Sequence, residues 1–270
     1  MRDVIRRYGL SARQGLGQHF LLDLNLTRRI ARAAGPLASG TIIEIGPGPG
    51  GLTRALLLEG ATRVVAIETD TRCLDALGEI AAAFPGRLEI IAADALEIDV
   101  AAVGNGPRQI VSNLPYNIGT ALLLRWLHSI SAFARLTLMF QKEVAQRLLA
   151  RPGTKDYGRL SVLTQWLTEV KRLFDVPASA FTPPPKVTST VVQLAPRPQP
   201  LCPADRSCLE RITAAAFGQR RKMLRQSLRQ ITDAPQALLA AAEIPETVRA
   251  EELDITEFCA LARALQNLNL

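Results

Sequence analysis

Short apolar runs alternate with helix-like segments through the first two-thirds of this 270-residue chain. Each run is nearly continuous and rich in β-branched residues, which is typical of parallel strands covered on both faces. Alternation of this kind predicts an open, doubly wound α/β sheet. The predicted strands span residues 41–45, 63–67, 88–91, 109–112 and 136–140, with a later candidate at 188–194. The predicted helices span residues 52–59, 70–83, 120–127 and 142–149.

The pattern changes after a proline-rich segment, Pro196-Arg197-Pro198-Gln199-Pro200. Each proline fixes its own φ and restricts the residue before it, so this segment is predicted to be a stiff linker. The chain beyond it lacks strand patterns. Its predicted helices span residues 206–217, 220–231, 235–242 and 256–265. The sequence therefore predicts an α/β domain over residues 1–199 and a small all-α domain over residues 200–270.

Positive charge is concentrated in two clusters of a chain whose formal net charge is +7. The N-terminal cluster consists of Arg2, Arg6, Arg7, Arg13, Arg28, Arg29 and Arg32. The second cluster lies on the predicted helix at 220–231 and consists of Arg220, Arg221, Lys222, Arg225 and Arg229. Solvated helix faces and phosphate-binding surfaces explain such clusters about equally well, so charge alone leaves nucleic-acid binding open.

Composition disfavours several other classes of protein. Hydrophobic residues make up 48% of the chain, which permits a packed core. No apolar run approaches the roughly 18 residues of a membrane span, and the first residues lack the apolar region of a secretory signal. No two of the four cysteines have C-x-x-C spacing, and there are only two histidines. The sequence therefore predicts a cytoplasmic protein with reduced thiols and no metal site.

A glycine-rich loop over residues 44–51 follows the first predicted strand and opens the next helix. Glycines there permit positive φ and let a cofactor approach the backbone, and the helix N-terminus favours an anion. The loop fits the G-x-G-x-x-G dinucleotide fingerprint from Gly46, and also the E-x-G-x-G loop of S-adenosylmethionine enzymes from Glu44. Glu68, which ends the second strand, can accept both ribose hydroxyls in either case. The loop alone leaves the cofactor undecided.

Two further strand ends favour S-adenosylmethionine. Asp94 follows the third strand, where a carboxylate can accept a hydrogen bond from the amine of a bound adenine, although a helix N-cap is a common alternative. The fourth strand closes with Ser112-Asn113-Leu114-Pro115-Tyr116-Asn117. The Asn113 side-chain oxygen and the Leu114 backbone carbonyl can accept from an adenine amine and stabilise the positive charge that develops on methylation. Tyr116 supplies a ring on which a flipped base can stack.

On these residues the whole chain resembles the bacterial small-subunit (16S) ribosomal RNA adenine dimethyltransferases. The resemblance covers the glycine loop, Gly17-Gln18-His19-Phe20-Leu21, Ala66-Ile67-Glu68, Asp94-Ala95, Asn113–Asn117, Gln141-Lys142-Glu143-Val144, residues 157–162, Phe181-Thr182-Pro183-Pro184-Pro185-Lys186-Val187 and residues 216–222. The Phe-Thr-Pro-Pro-Pro-Lys segment (residues 181–186) and the Gln-Arg-Arg-Lys segment (residues 219–222) are the parts most specific to this family.

The resemblance implies a class I S-adenosylmethionine-dependent methyltransferase, with a Rossmann-like sheet and a small C-terminal helical domain. It implies transfer of two methyl groups to each of two adjacent adenines near the 3′ end of small-subunit ribosomal RNA. The implied partner is the small ribosomal subunit, in whose assembly such enzymes take part. A monomer is expected, with no membrane and no metal involved.

The resemblance also implies roles for individual residues. The implied cofactor contacts are His19, Leu21, Gly46, Glu68, Asp94 and Asn113. The implied catalytic residues are Asn113, Leu114, Tyr116 and Phe181, with Phe181 stacking on the adenine opposite Tyr116, although a core phenylalanine fits that position nearly as well. The implied RNA-binding residues are Arg220, Arg221, Lys222 and Arg225. The chain departs from the family at His19, where many members carry asparagine.

Three other functions compete with this prediction. A large-subunit ribosomal RNA adenine methyltransferase shares the fold and the chemistry, but the Phe-Thr-Pro-Pro-Pro-Lys segment argues against it. A non-catalytic RNA-binding assembly factor is disfavoured by the intact set of Glu44, Glu68, Asp94 and Asn113. A nicotinamide oxidoreductase rests only on the glycine fingerprint, and a cofactor-binding measurement separates it from the others.

Overall fold

The computed structural model describes residues 2–10 and 18–268. Its strands are β1 (Phe20–Leu21), β2 (Thr41–Ile45), β3 (Val64–Glu68), β4 (Leu88–Ala92), β5 (Arg108–Asn113), β6 (Phe133–Gln141), β7 (Thr168–Val176), β8 (Phe181–Thr182) and β9 (Ser189–Pro196). Its α-helices are α1 (Arg2–Arg7), α2 (Leu24–Ala33), α3 (Gly51–Leu58), α4 (Leu74–Ala83), α5 (Gly119–His128), α6 (Lys142–Leu149), α7 (Arg159–Leu167), α8 (Arg206–Gly218), α9 (Leu224–Ser227), α10 (Pro235–Ala241) and α11 (Ile255–Asn267). All six strands predicted from the apolar runs are present, with small differences at their ends.

Seven strands form one sheet in the order β4-β3-β2-β5-β6-β9-β7. The five from β4 to β6 are parallel to their neighbours, whereas β9 is antiparallel to β6. Every residue of β2 and β3 is buried, which requires cover on both faces of the sheet. The predicted α/β architecture and its five parallel strands are confirmed, and β9, whose direction was not predicted, makes the sheet mixed.

The sequence prediction missed β7, which is the last strand in the sheet order. Four charged residues interrupt it: Glu169, Lys171, Arg172 and Asp175. Edge strands tolerate such residues because one side meets solvent, and charges there hinder pairing with other chains. An apolar-run criterion therefore cannot detect this strand.

A separate two-stranded ladder joins two distant motifs. β1 pairs antiparallel with β8, so that Phe20 lies opposite Thr182 and Leu21 opposite Phe181. Phe20, Leu21 and Phe181 are buried. The ladder therefore brings the Gln-His-Phe-Leu segment against the Phe-Thr-Pro-Pro-Pro-Lys segment.

The chain divides into two compact units, and the division differs from the predicted boundary at 199/200. One unit contains the described residues up to Ala145 together with Lys171–Pro196, and the other contains Gln146–Val170 and the described residues from Arg197. Within the second unit, the Trp166 indole Nε1 donates to the Cys202 carbonyl (2.8 Å), and the Leu201 N–H donates to Trp166 (2.8 Å). Residues 146–170 join the helical unit because α7 packs there, a long-range contact that local sequence patterns do not reveal.

The predicted helix at 220–231 is wrong. After α8 ends at Gly218, a turn over residues 219–222 precedes the short helix α9 and a 3₁₀ segment, Leu228–Gln230. Met223 forms a β-bridge with Arg249, and the Leu224 N–H donates to the Val248 carbonyl (2.9 Å). These long-range bonds hold the backbone out of a continuous helix. We call residues 219–222 the basic turn.

Within residues 2–10 and 18–268, no helix combines the length and the apolar character needed to cross a membrane. The same ranges contain no group of three or more His, Cys, Asp or Glu side chains placed to hold a metal ion.

Candidate active site

A cavity of about 220 Å³ opens at the carboxyl ends of β2, β3 and β5, in the first unit. This edge is where open α/β sheets bind their ligands. Of the residues predicted from the sequence, the cavity is lined by His19, Leu21, Gly46, Glu68, Asp94, Asn113, Leu114 and Tyr116. Phe181 is not among its lining residues. We call this the strand-end cavity.

The glycine loop forms one wall of the strand-end cavity. Gly46 and Gly48 have φ values of 63° and 55°, a region that side-chain-bearing residues rarely occupy. A Cβ atom on Gly46 would lie 3.3 Å from the Pro115 ring, and one on Gly48 would lie 3.0 Å from the Phe20 ring. The absence of side chains therefore provides the unusual backbone conformation and permits close packing against the other cavity walls.

Glu68 is a buried carboxylate whose two oxygens are both held by backbone donors. Oε2 accepts from the Gly48 N–H and Oε1 accepts from the Asp70 N–H, each at 2.8 Å. Burial raises the pKa of Glu68, and these two hydrogen bonds act in the opposite direction. Since each carboxylate oxygen has a second lone pair, Glu68 can still accept hydrogen bonds from a ligand.

Glu44 is buried at the start of the glycine loop and, like Glu68, lines the strand-end cavity. The Thr53 hydroxyl donates to its Oε2 at 2.6 Å. Burial raises the pKa of Glu44 from its ordinary value of 4.5 to about 8, and the nearby Glu68 charge acts in the same direction. Glu44 is therefore mostly protonated at neutral pH.

Asp94 both caps a turn and lines the strand-end cavity. Its Oδ1 accepts from the Leu96 N–H at 2.8 Å, and its backbone carbonyl accepts from the Glu97 N–H at 3.0 Å. No helix begins at Asp94, so the helix N-cap that the sequence left as an alternative is absent, and the carboxylate caps a turn over residues 95–97 instead. Its Oδ2 has no hydrogen-bond partner among the described residues, so this oxygen can accept from a ligand.

Asn113 ends β5 and is oriented by a distant backbone carbonyl. Its Nδ2 donates to the carbonyl of His19 at 3.1 Å. With the amide nitrogen engaged, the amide oxygen is the acceptor that this side chain can present to a substrate amine. Next to it, the Ser112 hydroxyl donates to the Ile45 carbonyl at 2.6 Å and ties the ends of β5 and β2 together.

The turn after Asn113 fixes Leu114, Pro115 and Tyr116. The Pro115 carbonyl accepts from the N–H groups of Ile118 (3.2 Å) and Gly119 (3.0 Å). Leu114 is buried, and the Tyr116 hydroxyl forms a 2.5 Å hydrogen bond with the Ser189 hydroxyl. Burial raises the pKa of Tyr116, so its phenol stays protonated at neutral pH.

His19 lies near both predicted stacking rings. Its ring centroid is 5.3 Å from that of Tyr116 and 6.4 Å from that of Phe181, the latter edge-on. Its Nδ1 donates to the Pro183 carbonyl at 2.9 Å, since a carbonyl can only accept. Phe181 is only 3% exposed and belongs to the hydrophobic core, as the alternative interpretation of its sequence position proposed. Its stacking role stays a prediction.

Gln18 was not predicted as a site residue, although it lies in a motif that carries the family resemblance. Gln18 lines the strand-end cavity and donates to the Asp70 carboxylate at 2.9 Å. The Arg72 guanidinium beside Asp70 holds the pKa of that carboxyl at about 2. Ser189, whose hydroxyl contacts that of Tyr116, was not predicted either, because a single serine at the start of a strand carries no local signal.

The basic residues predicted to bind RNA differ in their surroundings. Arg221 and Lys222 are exposed in the basic turn, and Arg225 is half-buried in α9. Arg220 is half-buried too, and its guanidinium donates to the Glu251 carboxylate (2.7 Å) and to the Thr154 carbonyl (3.0 Å). Arg221 and Lys222 are therefore the exposed part of the predicted set.

Three arginines of the N-terminal cluster pair with two acids that are distant in sequence. Arg7 pairs with Glu79 at 2.6 Å, while Arg28 and Arg32 both pair with Glu59. The Arg29 guanidinium lies 3.9 Å from the Phe174 ring centroid. Gly17, Arg13 and the side chain of Arg2 lie outside the described residues.

Comparison with known proteins places this geometry in context. Residues 9–267 match the family model described as "Ribosomal RNA adenine dimethylase". The chain is 65% identical over 265 residues to "Ribosomal RNA small subunit methyltransferase A" of Rhodospirillum rubrum, covering 98% of this chain and 92% of that protein. It is 63% identical to the protein of the same name from Paramagnetospirillum magneticum, covering 98% and 94%.

Two solved structures are also similar. One is a dimethyladenosine transferase from Plasmodium falciparum, with 25% identity, a TM-score of 0.79 and coverage of 93% of this chain and 99% of that one. The other is the 23S rRNA methyltransferase ErmE, with 27% identity, a TM-score of 0.67 and coverage of 92% and 99%. The fold is therefore shared with a 23S rRNA enzyme, whereas the two sequence relatives are named as small-subunit methyltransferases.

Proposed function

Because the chain belongs to the ribosomal RNA adenine dimethylase family, we propose that it dimethylates two adjacent adenines near the 3′ end of small-subunit ribosomal RNA. The reaction uses S-adenosylmethionine and modifies the exocyclic amine of each adenine. The chain is an enzyme of the ribosomal RNA methyltransferase class. Its high identity to small-subunit methyltransferases over nearly the full chain favours that substrate over the large subunit.

One observation in the strand-end cavity carries the proposal. Asn113, whose amide nitrogen is engaged by the His19 carbonyl, lines the same cavity as Glu68 and Asp94. An amide acceptor for a substrate amine and two carboxylates for the ribose and adenine of a cofactor thus share one space.

The residues of the strand-end cavity fit S-adenosylmethionine. Cβ atoms on Gly46 and Gly48 would crowd the Pro115 and Phe20 rings, so the loop offers bare backbone to a ligand. Glu68 would hold the ribose hydroxyls and Asp94 the adenine amine, with His19 and Leu21 on the β1 side. When bound, this cofactor supplies a methyl group already activated on a sulfonium, so nucleophilic side chains are not required.

The chain contributes positioning and charge stabilisation. The adenine amine is a poor nucleophile because its lone pair is delocalised into the ring. The Asn113 oxygen and the Leu114 carbonyl accept from its N–H groups, favour a pyramidal nitrogen and stabilise the positive charge as the N–C bond forms. The Tyr116 ring stacks on the flipped base. The departing proton goes to water, because methylation makes the nitrogen strongly acidic.

The small ribosomal subunit is the proposed partner, with Arg221 and Lys222 contacting phosphates and Arg225 adding to them. Exposed cations suit phosphate contacts because their charge is not committed to a protein carboxylate. A role in small-subunit assembly, a monomeric state and a cytoplasmic location complete the proposal.

Product mapping tests this function. Purified protein is incubated with methyl-labelled cofactor and unmethylated small subunits, with large subunits in a parallel reaction. Nuclease mapping followed by mass spectrometry should find dimethyladenosine at two adjacent positions near the 3′ end of the small-subunit RNA. Label confined to large-subunit RNA would assign the alternative substrate, and cofactor binding without transfer to either subunit would favour a non-catalytic assembly factor.

A further inference from the structure

The Tyr116 hydroxyl is hydrogen-bonded to Ser189, which lies 73 positions away in the chain. Its Oη is 2.5 Å from the Oγ of Ser189, the first residue of β9. We propose that Ser189 is a positioning residue for methyl transfer, holding the Tyr116 ring at the angle at which the flipped adenine stacks. This inference rests on the proposed function, since it assigns a base-stacking role to Tyr116.

Ser189 is well anchored for such a role. It is fully buried, and it lies opposite Gln141 in the ladder between β9 and β6. The residue before it, Thr188, accepts from the Lys142 N–H at 2.9 Å. The serine hydroxyl therefore sits on a fixed backbone. It does not line the strand-end cavity, so it acts through Tyr116 and not on a ligand.

Tyr116, in contrast, lies in the turn after β5, where the backbone alone does not fix a ring. Rotation about its first side-chain torsion swings the ring tip furthest, and Oη is at that tip. The Ser189 bond restrains this swing. The ring contact with His19, at 5.3 Å between centroids, is less directional than a hydrogen bond.

This bond also defines what the phenol does. A hydroxyl engaged by a buried serine is not free to exchange a proton with substrate. Burial keeps the phenol protonated by raising its pKa, while the Ser189 contact acts in the opposite direction. Tyr116 thus contributes its ring to the site, and its hydroxyl serves to orient that ring.

The test uses Ser189→Ala, Tyr116→Phe and the double variant. Thr190→Val is the matched control, because Thr190 is the next residue of β9 and its buried hydroxyl donates to Asp175 (2.8 Å) instead. The chain has three tyrosines, so ¹³Cζ-tyrosine labelling gives few NMR signals, and Tyr116→Phe identifies the relevant one. Single-turnover transfer to small subunits and calorimetry with the cofactor complete the measurements.

We expect Ser189→Ala to shift the Tyr116 signal and Thr190→Val to leave it in place. Ser189→Ala and Tyr116→Phe should each slow single-turnover transfer roughly two- to tenfold, the range for one net hydrogen bond. The double variant should be no slower than the slower single variant, because both changes remove the same bond. Cofactor affinity and the Thr190→Val transfer rate should match the wild type.

Different results would refute the hydrogen bond, the positioning role of Ser189 and the proposed function. An unmoved Tyr116 signal in Ser189→Ala would refute the hydrogen bond. A shifted signal with a wild-type transfer rate, or additive losses in the double variant, would refute the positioning role and leave Ser189 structural. A wild-type enzyme that transfers no label to small subunits would refute the proposed function, and the positioning role with it, while the NMR comparison still reports on the bond.

Discussion

The strand-end cavity and the basic turn place their ionisable groups in opposite surroundings. In the cavity, Glu44 and Glu68 are buried and each accepts hydrogen bonds from fixed donors. In the basic turn, Arg221 and Lys222 are exposed to solvent. Buried groups with fixed partners are preorganised and weakly screened, whereas exposed charges are mobile and strongly screened by salt. We therefore propose that the cavity provides chemistry and cofactor selection, and that the turn provides salt-sensitive affinity for RNA.

The basic turn also differs from the N-terminal arginine cluster, although the two look alike in sequence. Arg7 and Arg32 have carboxylate partners from elsewhere in the fold. An arginine that is already paired gains less from a phosphate, because the existing bond must be broken first. Cation density along a sequence is therefore a weaker guide to RNA contacts than the charge left uncompensated after folding.

The largest effect is expected from Asn113→Ala, because it removes the acceptor for the developing charge on the amine. Turnover should fall about 100- to 1,000-fold, by analogy with removal of one preorganised group from an oxyanion hole. Cofactor affinity should change much less. Single-turnover kinetics and calorimetry measure the two quantities separately. Equal losses in both would make Asn113 mainly a binding residue.

Glu68→Ala should weaken cofactor binding by about 10- to 150-fold, which corresponds to about 1.5–3 kcal/mol for hydrogen bonds to a charged group. Calorimetry measures this directly. Glu89→Ala is the control, because Glu89 is an exposed carboxylate on β4 whose partner is Arg63. Wild-type affinity in Glu68→Ala would remove Glu68 from the cofactor site.

The double variant Arg221→Ala/Lys222→Ala should weaken binding to small subunits and flatten its salt dependence. Each lost phosphate contact lowers the log–log slope by roughly 0.7–0.9. Arg7→Ala/Arg32→Ala changes the net charge equally but removes paired arginines, so its slope should stay closer to that of the wild type. Titrations at several salt concentrations decide the matter. Equal slopes for the two double variants would show that net charge alone controls RNA binding.

Glu44→Gln should have the smallest effect, on the pH dependence of stability. Because the folded pKa of Glu44 is about 8 and its ordinary value is 4.5, the folded state retains a proton that the unfolded state loses between these values. The contribution of Glu44 to the free energy of unfolding of the wild type therefore falls as pH rises from 4.5 towards 8. The neutral glutamine lacks this loss, so the variant should gain stability relative to the wild type over that range.

Denaturant unfolding at pH 5, 6.5 and 8 measures the stability difference between Glu44→Gln and the wild type. A difference that does not change with pH would show that Glu44 is ionised in the folded protein.

The sequence predicted the strands and most of the cavity because both depend on local patterns. Buried parallel strands require apolar runs, and the parallel arrangement collects the ends of those runs, with Gly46, Glu68 and Asp94, at one edge. Long-range pairing escaped prediction. The Met223 bridge to Arg249 breaks a helix that local propensity favours.

The same limit applies to side chains around the site. The bond between Tyr116 and Ser189 joins segments whose proximity only the sheet order reveals. Phe181 has a residue type that suits both a stacking platform and a core position, and its burial in the core is set by the β1–β8 ladder. Local sequence therefore predicted the residues that line the cavity better than the long-range contacts that hold them in place.

Steady-state kinetics on small subunits, with Asn113→Ala and Arg221→Ala/Lys222→Ala in one assay, test the division between cavity and basic turn most directly. We expect the two variants to change different kinetic constants. Asn113→Ala should lower kcat and leave KM for small subunits nearly unchanged, while the double variant should raise KM, more so at high salt, and retain kcat. The reverse pattern, or a loss of kcat and a rise of KM together in both variants, would contradict the division.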